Sequence, residues 1–405
     1  MTSGNNNKKL ILFGAGKIGR SFIGQLFSRG NYEVVFVDIS KDIINELNKR
    51  KNYNVVIKSE DEELLNINNV RGIWAGDETK IVDEIADASI AAVSVGLNGL
   101  RSVIPIIAKG LLERYNKSTN NPLDIIIAEN LRNAAEYLED ELKKQLPEWY
   151  PIENMVGLIE TSIGKMVPIM LKKDMEEDVL QVFAEPYNTL ILDANGFKNP
   201  IPKIDGLAPK ENMKAWVDRK LFIHNLGHVC AAYYGASRYP DLKYIHEVLA
   251  HEEIYRFTRE AMLQSSHILE KLYPSVFIDG ELIDHIDDLL SRFCNKALGD
   301  TIFRVGCDLN RKLSSNDRLF APFHAGIKLN LPVDRIINGI IFGTSFNAKD
   351  ESGNFFEDDI KFIRRIKNNG LKKVLKEVGA LDENEIQVIF NQLEKNGKSI
   401  NLIGK

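Results

Sequence analysis

A glycine-rich turn near the N-terminus constrains the fold of this chain more than any other feature. An apolar run at 9–13 precedes the turn and an apolar-periodic stretch follows it, which predicts a strand, a tight turn and a helix. The turn itself is Gly14-Ala15-Gly16-Lys17-Ile18-Gly19. Its first glycine permits the tight turn, its second lets the backbone approach a pyrophosphate, and its third allows the helix to pack closely on the strand. The helix N-terminus would then supply N–H groups to the phosphates.

An acid at the end of the next predicted strand indicates which nucleotide this turn would bind. Asp38 follows the apolar run at 32–37. A carboxylate there accepts hydrogen bonds from a ribose 2′-hydroxyl and repels a 2′-phosphate, so we predict NAD and not NADP. A glycine-rich turn that binds FAD, or that binds nothing, is the alternative. Val95 ends another predicted strand, 89–95, and would either line the nicotinamide side of the cleft or belong to an ordinary turn.

The order of the apolar patterns predicts two domains of different class. Strand patterns alternate with helical patterns in the first half, which is typical of a parallel, doubly wound sheet; the strands are predicted at 9–13, 32–37, 89–95, 124–128, 154–159 and within 179–192. The later patterns are helical, at 211–236, 241–272, 281–297, 332–342, 356–378 and 383–396. Prolines and glycines between 195 and 209 indicate a linker. We therefore predict an α/β Rossmann-type domain at 1–205 and a mostly α-helical substrate domain at 206–405.

Charge and cysteine usage exclude several classes of function. The net charge of −5 gives no electrostatic reason to expect nucleic acid, and no apolar run is long enough to cross a membrane. Three scattered cysteines, Cys230, Cys294 and Cys307, do not form a disulfide framework, so the expected compartment is the cytoplasm. The polar segment 1–9 lacks the apolar core of a signal peptide and is expected to be a loose tail. We expect a small-molecule substrate and a monomer or a small homo-oligomer.

Three reactive side chains lie in one short amphipathic window of the predicted helical domain: Lys220, Asn225 and His228. In an α-helix Asn225 lies about 140° and His228 about 80° round from Lys220, so all three share one face. A lysine whose pKa is lowered by burial can remove a hydroxyl proton during hydride transfer, and an asparagine can stabilise charge on oxygen. The alternative is a surface lysine, a turn asparagine and a core histidine.

Helical geometry leaves two questions open in this window. His224 lies on the same arc, so position alone does not choose between the two histidines. Lys220 and His228 would also lie about 12 Å apart along a straight helix axis. The substrate must then be long, the lysine must fold back, or the helix must be interrupted near Gly227.

A metal site is not predicted. His246, Glu247 and His251 suggest the zinc motif HExxH, but the two histidines are five residues apart and not four. They therefore do not stack on one face of a helix, and a polar helix face is the better interpretation.

Several segments together resemble the polyol-specific long-chain dehydrogenases, most closely the branch that acts on mannitol 1-phosphate. The resemblance covers nearly the whole chain and includes the glycine-rich turn extended to Gly24, Ala128-Glu129-Asn130, Glu185-Pro186-Tyr187, Val217 to His228, Arg304-Val305-Gly306 and Arg311 to Leu319. The Lys-x4-Asn-x2-His spacing is the signature of the family and is far more specific than the glycines.

The resemblance implies metal-independent hydride transfer between NAD and a sugar alcohol or its ketose, with Lys220 as general base. It assigns the asparagine and the histidine of the signature to Asn225 and His228. It also implies that Asn130 completes the site that stabilises the oxyanion, with the preceding acid, Glu129, beside the substrate. The adjacent cations Arg311 and Lys312 are either phosphate ligands of a sugar phosphate or ordinary surface charges.

One departure from the family pattern concerns the substrate more than the chemistry. Family members commonly have Val-Asp-Arg-Ile before a proline, where this chain has Gly164 and Lys165 in place of the aspartate and the arginine. Glu160 is a candidate to compensate, and Lys296 stands where proline is usual. We expect the interconversion of mannitol 1-phosphate and fructose 6-phosphate. The alternatives are reduction of a hexuronate, fructuronate or tagaturonate, and a nucleotide-binding protein without turnover.

Overall fold

The computed structural model describes residues 8–395 apart from 60, 171 and 279. The chain forms two compact units, which divide between Val217 and Asp218. The sequence-based boundary after residue 205 lies earlier and stays a prediction. Most of the loose tail predicted at the N-terminus, residues 1–7, lies outside the described residues, as does residue 396 at the end of the last predicted helix.

The first unit is built on parallel strands. Its described residues form β1 (Lys9–Phe13), β2 (Glu33–Asp38), β3 (Asn52–Ile57), β4 (Glu63–Asn68), β5 (Val70–Trp74), β6 (Ile90–Val93), β7 (Leu123–Ile127), β8 (Val156–Ser162), β9 (Val182–Ala184), β10 (Leu190–Asp193) and β11 (Leu207–Lys210). Eight strands form one sheet in the order β11-β10-β8-β7-β6-β1-β2-β5, and the other three form a small sheet in the order β4-β3-β9. In the large sheet only the β8–β10 pair is antiparallel among the described strands.

The helices of this unit connect the strands of the large sheet. A π-helical segment, Gly19–Gly24, leads directly into the first α-helix, and the helices are α1 (Gln25–Arg29), α2 (Lys41–Arg50), α3 (Glu78–Asp87), α4 (Gly96–Lys117), α5 (Ala134–Gln145), α6 (Ile152–Met155), α7 (Lys172–Glu177) and α8 (Met213–Arg219), which ends beyond the division. The helix predicted after the glycine-rich turn is present, and its first part, Gly19–Gly24, is π-helical.

The large sheet is buried on both faces, which explains the continuous apolar runs in its strands. Leu10 and Leu12 of β1 pack in one apolar core, whereas Ile11 and Phe13 pack in a second core. Successive side chains of a strand point to opposite faces, so the two cores lie on the two sides of the sheet. The predicted doubly wound α/β class is confirmed.

The second unit is helical. It contains a π-helical segment (Lys220–Asn225), α9 (Leu226–Arg238), α10 (Ile245–Leu249), α11 (Glu252–Leu272), α12 (Glu281–Phe293), a short 3₁₀ helix (Lys296–Leu298), α13 (Ile302–Gly306), α14 (Leu309–Lys312), α15 (Phe320–Lys328), α16 (Asp334–Thr344), α17 (Glu357–Asn369), α18 (Leu371–Val378) and α19 (Glu383–Lys395). The predicted mostly α-helical domain is thus confirmed. No helix in the described part of the chain is both long enough and apolar enough to cross a membrane.

Helix α9 lies at the centre of this unit and packs against α11, α13 and α16. Two glycines of α9 let neighbouring helices approach it closely. A Cβ on Gly227 would collide with the side chain of Met262 in α11, and a Cβ on Gly235 with that of Val248 in α10. The π-helical segment continues directly into α9. Dense packing around α9 therefore holds the segment that carries the predicted reactive residues.

Candidate active site

The glycine-rich turn has the local geometry that its sequence predicts. Gly14 adopts a φ of +98°, a conformation that favours glycine, and its N–H donates to the carbonyl of Val37 at 2.8 Å. A Cβ on Gly19 would collide with the carbonyl of Gly14, so this glycine permits the close packing. Gly16 is exposed, and no atom lies within 4 Å of the position that its Cβ would occupy. The turn therefore leaves room for a phosphate group to approach the backbone.

Asp38 is fixed against this turn at the carboxyl end of β2. Its Oδ2 accepts a hydrogen bond from the N–H of Ala15 at 2.7 Å, and its Oδ1 accepts one from Ser40 at 2.8 Å. Each carboxylate oxygen has two lone pairs, so both can accept a further hydrogen bond from a ribose hydroxyl. The placement suits the predicted role in cofactor binding.

Glu129 and Val95 meet at the same edge of the sheet, beyond β7 and β6. Oε1 of Glu129 accepts hydrogen bonds from the N–H groups of Val95 at 2.6 Å and of Gly96 at 2.9 Å. Burial raises the pKa of this carboxyl, and the two backbone hydrogen bonds act against that rise. Glu129 thus holds the turn between β6 and α4, while its predicted place beside the substrate stays a prediction. Asn130 follows it and is exposed.

The segment that departs from the family pattern has its own contacts in the first unit. The buried Lys165 donates from Nζ to the carbonyl of Tyr187 at 2.8 Å and to Oδ1 of Asn188 at 2.9 Å. Glu160, the candidate to compensate for the missing aspartate, accepts a hydrogen bond from the N–H of Ala134 at the start of α5. A Cβ on Gly164 would make only ordinary contacts, at 3.6 Å from the ring of Tyr187.

In the second unit, the reactive window is not one straight α-helix. Lys220 begins the π-helical segment and Asn225 ends it, whereas His228 lies in the first turn of α9. Bonds from i to i+5 widen the helix, so the α-helical arc predicted for the three side chains is wrong in its angles. The sequence left open an interruption near Gly227. The structure places the irregular segment earlier, at Lys220–Asn225, and Gly227 lies within α9. Such π-helical insertions are frequent at functional sites.

Lys220 has the electrostatic property that a general base requires. Burial, and after it the positive charge of Arg318, together lower the pKa of its ammonium group to about 8. Both effects disfavour the charged amine, since a buried cation loses hydration and like charges repel. A substantial fraction of this lysine is therefore neutral in weakly alkaline solution.

The two candidate histidines pack around one aromatic ring. His228 stacks on Phe293 with ring centroids 4.4 Å apart and an interplanar angle of 5°, while His224 meets Phe293 edge-on at 5.5 Å. Burial lowers the pKa of both imidazoles well below the usual range. For His228, neighbouring cations add to this effect, and they belong to Arg304, Arg318, Lys312 and Arg292. Nε2 of His228 lies 3.2 Å from Oδ2 of Asp300.

The adjacent cations Arg311 and Lys312 have different surroundings. Arg311 is on the surface and forms ion pairs with Asp308 and Asp317. Lys312 is 5% exposed, and its Nζ donates to the carbonyl of Val305 at 2.7 Å. Burial lowers the pKa of Lys312 to about 8, with Arg318 as the next cause. Lys312 is therefore a buried cation whose charge acts on His228, whereas Arg311 is a surface cation paired with acids.

Sequence reasoning did not assign roles to Arg304 and Arg318. Together with Lys312, these residues form what we call the cation cluster, since the charges of all three lower the pKa of His228. Nε of Arg318 donates to Oδ1 of Asp317 at 2.8 Å, and Arg304 pairs with Asp300. Both arginines stand in segments that carry the family resemblance. A single arginine in a loop, as Arg318 is, or in a helix of five residues, as Arg304 is, has no periodic pattern that would have indicated its role.

Two members of the zinc-like set His246, Glu247 and His251 have contacts that stabilise the local fold. Glu247 accepts hydrogen bonds from the N–H groups of Lys243 and Tyr244, each at 2.9 Å, at the start of α10. His251 stacks on Tyr239 with ring centroids 3.8 Å apart. Within residues 8–395, apart from the three that are not described, no group of three or more His, Cys, Asp or Glu side chains could hold a metal ion.

Comparisons with known proteins place this geometry in a family. The mannitol dehydrogenase Rossmann domain matches residues 8–206, and the mannitol dehydrogenase C-terminal domain matches residues 212–403. Mannitol-1-phosphate 5-dehydrogenase of Buchnera aphidicola subsp. Schizaphis graminum (strain Sg) is 30% identical over 389 residues, which cover 95% of this chain and 97% of that protein. A structure of Pseudomonas fluorescens mannitol 2-dehydrogenase in ternary complex with NAD and D-mannitol shares the fold, with a TM-score of 0.69 and 15% identity over 96% of this chain and 95% of that one. The chain therefore belongs to the mannitol dehydrogenase family.

Proposed function

We propose that the chain is an NAD-dependent dehydrogenase that interconverts mannitol 1-phosphate and fructose 6-phosphate. Membership of the family confirms the predicted dehydrogenase class. The curated relative that is 30% identical is named for mannitol 1-phosphate, and the solved relative was crystallised with NAD. The substrate and the roles of individual residues rest on the arguments that follow.

The observation that carries the proposal is the position of Arg318. Its charge lowers the pKa of Lys220 and also that of Lys312, so it lies within electrostatic reach of both lysines. Positive charge is therefore concentrated beside the residue that would act as base. An uncharged polyol gains little from this arrangement, whereas a dianionic phosphate forms strong charge-assisted hydrogen bonds with arginine and lysine.

The glycine-rich turn and Asp38 would hold the cofactor. Gly16 leaves the backbone open to a pyrophosphate, and Asp38 keeps lone pairs for a ribose hydroxyl. When bound, NAD supplies the acceptor for the hydride that leaves the carbinol carbon. These local features fit NAD better than NADP, because Asp38 would repel a 2′-phosphate.

Lys220 would remove the proton of the reacting hydroxyl. With a pKa of about 8 it is neutral often enough to accept that proton and basic enough to retain it. Asn225, at the end of the same π-helical segment, would donate a hydrogen bond to the substrate oxygen and stabilise the charge that develops there. His228 would orient the substrate. Asn130 keeps its predicted role as a further donor to that oxygen.

The cation cluster would bind the substrate phosphate. Lys312 is buried with a lowered pKa, so it gains from a dianion that compensates its charge. Arg311 is a poorer ligand, since two acids, Asp308 and Asp317, pair with its guanidinium on the surface. Among the described residues, Arg304 and Arg318 each pair with a single acid. We therefore retain Lys312 as a proposed phosphate ligand and propose Arg304 and Arg318 beside it.

A substrate panel tests the proposal directly. Reduction of fructose 6-phosphate, fructose, fructuronate and tagaturonate is measured with NADH and with NADPH. The expected result is a kcat/KM for fructose 6-phosphate with NADH that exceeds every other combination by at least roughly a hundredfold, the contribution of a well-bound phosphate. A preference for either uronate would overturn the phosphate assignment. NADH binding without oxidation by any substrate would favour a nucleotide-binding protein without turnover.

A further inference from the structure

We propose that Asp300 is a positioning residue for His228: its carboxylate holds the imidazole in the form protonated at Nε2 and thereby keeps Nδ1 as a hydrogen-bond acceptor. The inference rests on the proposed function, in which His228 orients the substrate. It adds the direction of the hydrogen bond, because Nδ1 would accept from a substrate hydroxyl and could not donate to a carbonyl. It also assigns a role to an acid that neither the sequence patterns nor the family signature singled out.

The carboxylate of Asp300 faces the ring at close range. Its Oδ2 lies 3.2 Å from Nε2 of His228, a distance at which a hydrogen bond forms once the two groups align. Asp300 is 5% exposed, and in this structure neither of these two atoms forms a hydrogen bond, with the other or with a further described residue. Oδ1 faces the guanidinium of Arg304. A buried polar pair of this kind is costly unless its members satisfy each other.

The backbone around Asp300 is fixed from both sides. Its carbonyl accepts a hydrogen bond from the N–H of Ile245 at 2.9 Å, and the next residue, Thr301, forms a β-bridge with Tyr244. Oγ1 of Thr301 in turn accepts from the N–H of Arg304 and caps α13. The start of α10 and the start of α13 therefore hold the acid in place, so it can restrain the ring that it faces.

The imidazole is restrained in two independent ways. Stacking on Phe293 fixes the plane of the ring, with an interplanar angle of 5°. The carboxylate of Asp300, 3.2 Å from Nε2, favours the ring orientation that turns this nitrogen toward it. With both restraints present, Nδ1 has one preferred direction.

Charge determines where the proton lies. An ionised carboxylate accepts hydrogen bonds and cannot donate them, so Nε2 must carry the hydrogen. A second ring proton is disfavoured by burial and by the cations that face His228: Arg304 of α13, Lys312 of α14, Arg318 before α15 and Arg292 of α12. His228 therefore stays neutral with a single proton at Nε2, and Nδ1 is an acceptor.

A simpler role for Asp300 is to neutralise Arg304 without any effect on His228. The two roles differ in a measurable way. If Asp300 acts through His228, its replacement costs activity only while the imidazole is present. If it acts only on Arg304, the loss is the same with and without the imidazole, because the two substitutions are then independent.

The first experiment measures the tautomer of His228 in the full chain without substrate. Ring nitrogens are observed by NMR in protein labelled with ¹⁵N-histidine, and His228→Gln identifies the signals. We expect a protonated Nε2 and an unprotonated Nδ1 in the wild type, the same pattern in Asp300→Asn, whose amide oxygen still accepts, and a mixture of tautomers in Asp300→Leu. A wild type protonated at Nδ1 would overturn the proposal, even if Asp300→Leu does not fold.

The second experiment is a double-mutant cycle on kcat and KM. We expect Asp300→Leu to lower kcat/KM by roughly tenfold to a hundredfold, the usual cost of losing a residue that orients a site residue, and Asp300→Asn to recover most of that loss. In the His228→Ala background the leucine substitution should cost less than about twofold. Equal losses in both backgrounds would assign Asp300 to Arg304 alone.

Asp287→Leu serves as the matched control. Asp287 also pairs with an arginine of the same unit, Arg259, but on the surface, and its substitution should leave kcat and the tautomer unchanged. If no substrate of the panel is turned over, the proposed function fails, while the tautomer of His228 still decides the role of Asp300.

Discussion

Arg318 lies close enough to Lys220 for its charge to act with burial in lowering the pKa of the ammonium group to about 8. A metal-independent dehydrogenase needs a base that is neutral near physiological pH, and an ordinary lysine is not. The same arginine also faces Lys312. The charge of one residue, Arg318, thus acts both on the proposed base, Lys220, and on a proposed phosphate ligand, Lys312.

Removal of the amine of Lys220 should abolish turnover. Lys220→Met keeps the length of the side chain and removes the base, so we expect kcat to fall by at least about a thousandfold. NADH affinity, measured by fluorescence titration, should change by less than about twofold. Lys214→Met, at an exposed lysine of α8, is the matched control. Turnover within tenfold of the wild type in Lys220→Met would contradict the assignment.

Removal of the charge of Arg318 should shift the pH dependence of polyol oxidation. The proposed base, Lys220, accepts a proton only when it is neutral, so kcat/KM for oxidation should rise with pH through about 8 in the wild type. Arg318→Gln removes a positive charge near the amine, and the pKa of Lys220 and the rising limb should therefore move to higher pH. Arg364→Gln, at an exposed arginine of α17, should leave the profile in place. A shift to lower pH would show that Arg318 does not act on Lys220 as described.

Asp38 should determine the choice of cofactor. In Asp38→Ala the ribose hydroxyl loses its acceptor, so the KM for NADH should rise roughly tenfold to a hundredfold. The KM for NADPH should rise less, because the repulsion of its 2′-phosphate is also lost. The ratio of kcat/KM with NADH to kcat/KM with NADPH should therefore fall. Asp42→Ala, at an exposed acid of α2, controls for the change in local charge. An unchanged ratio of kcat/KM values for the two cofactors would remove Asp38 from the proposed site.

The parts of the molecule that the sequence predicted well are local in the chain. The turn from Gly14 to Gly19 and the acid at 38 belong to one strand–helix–strand unit, whose glycines and apolar runs have direct structural causes. The helical half was predicted for the same reason, since its apolar residues recur at helical spacing. The β3–β4 hairpin was not predicted, because side chains such as Asn52, Asn54 and Asn66 interrupt its apolar pattern.

The parts that the sequence did not predict depend on tertiary packing or on small differences in backbone bonding. A π-helical segment differs from an α-helix by one residue per hydrogen bond, and no residue pattern in Lys220–Asn225 marks that difference. Arg318 comes within electrostatic reach of Lys220, and Asp300 comes to face His228, only after distant segments pack together. Neither relationship could be inferred from spacing along the chain.

The lowered pKa of Lys220 should also appear as a cost in stability. The pKa is about 8 in the folded chain against 10.5 for an ordinary lysine. Between these two pH values the unfolded chain binds more protons, so stability should rise with pH there, and the full cost is present below pH 8. Lys220→Met should therefore raise the free energy of unfolding at pH 7 by roughly 1–3 kcal/mol and raise it less at pH 10. Thermal unfolding at both pH values measures the difference, and Lys214→Met should show none. A variant that is less stable than the wild type at pH 7 would contradict this prediction.

The adjacent cations of α14 offer the sharpest test of the proposed phosphate site. Neighbouring residues of a helix point to different faces, which is why Lys312 is buried whereas Arg311 reaches Asp308 and Asp317 on the surface. Lys312→Gln should lower kcat/KM for fructose 6-phosphate by roughly tenfold to a hundredfold, through the loss of a charge-assisted hydrogen bond. The same variant should change the slow reduction of fructose by less than about threefold, since fructose has no phosphate.

Arg311→Gln is the matched control for Lys312→Gln, because it removes the same charge from the next residue. It should change kcat/KM for either sugar by less than about twofold, as expected for an exposed ion pair. Lys312 also donates to the carbonyl of Val305, so loss of the lysine could weaken the fold as well as the site. Equal losses for fructose 6-phosphate and fructose would indicate that structural effect and exclude Lys312 as a phosphate ligand. A large loss in Arg311→Gln that is specific for fructose 6-phosphate would instead show that the surface arginine leaves its acids to bind the phosphate.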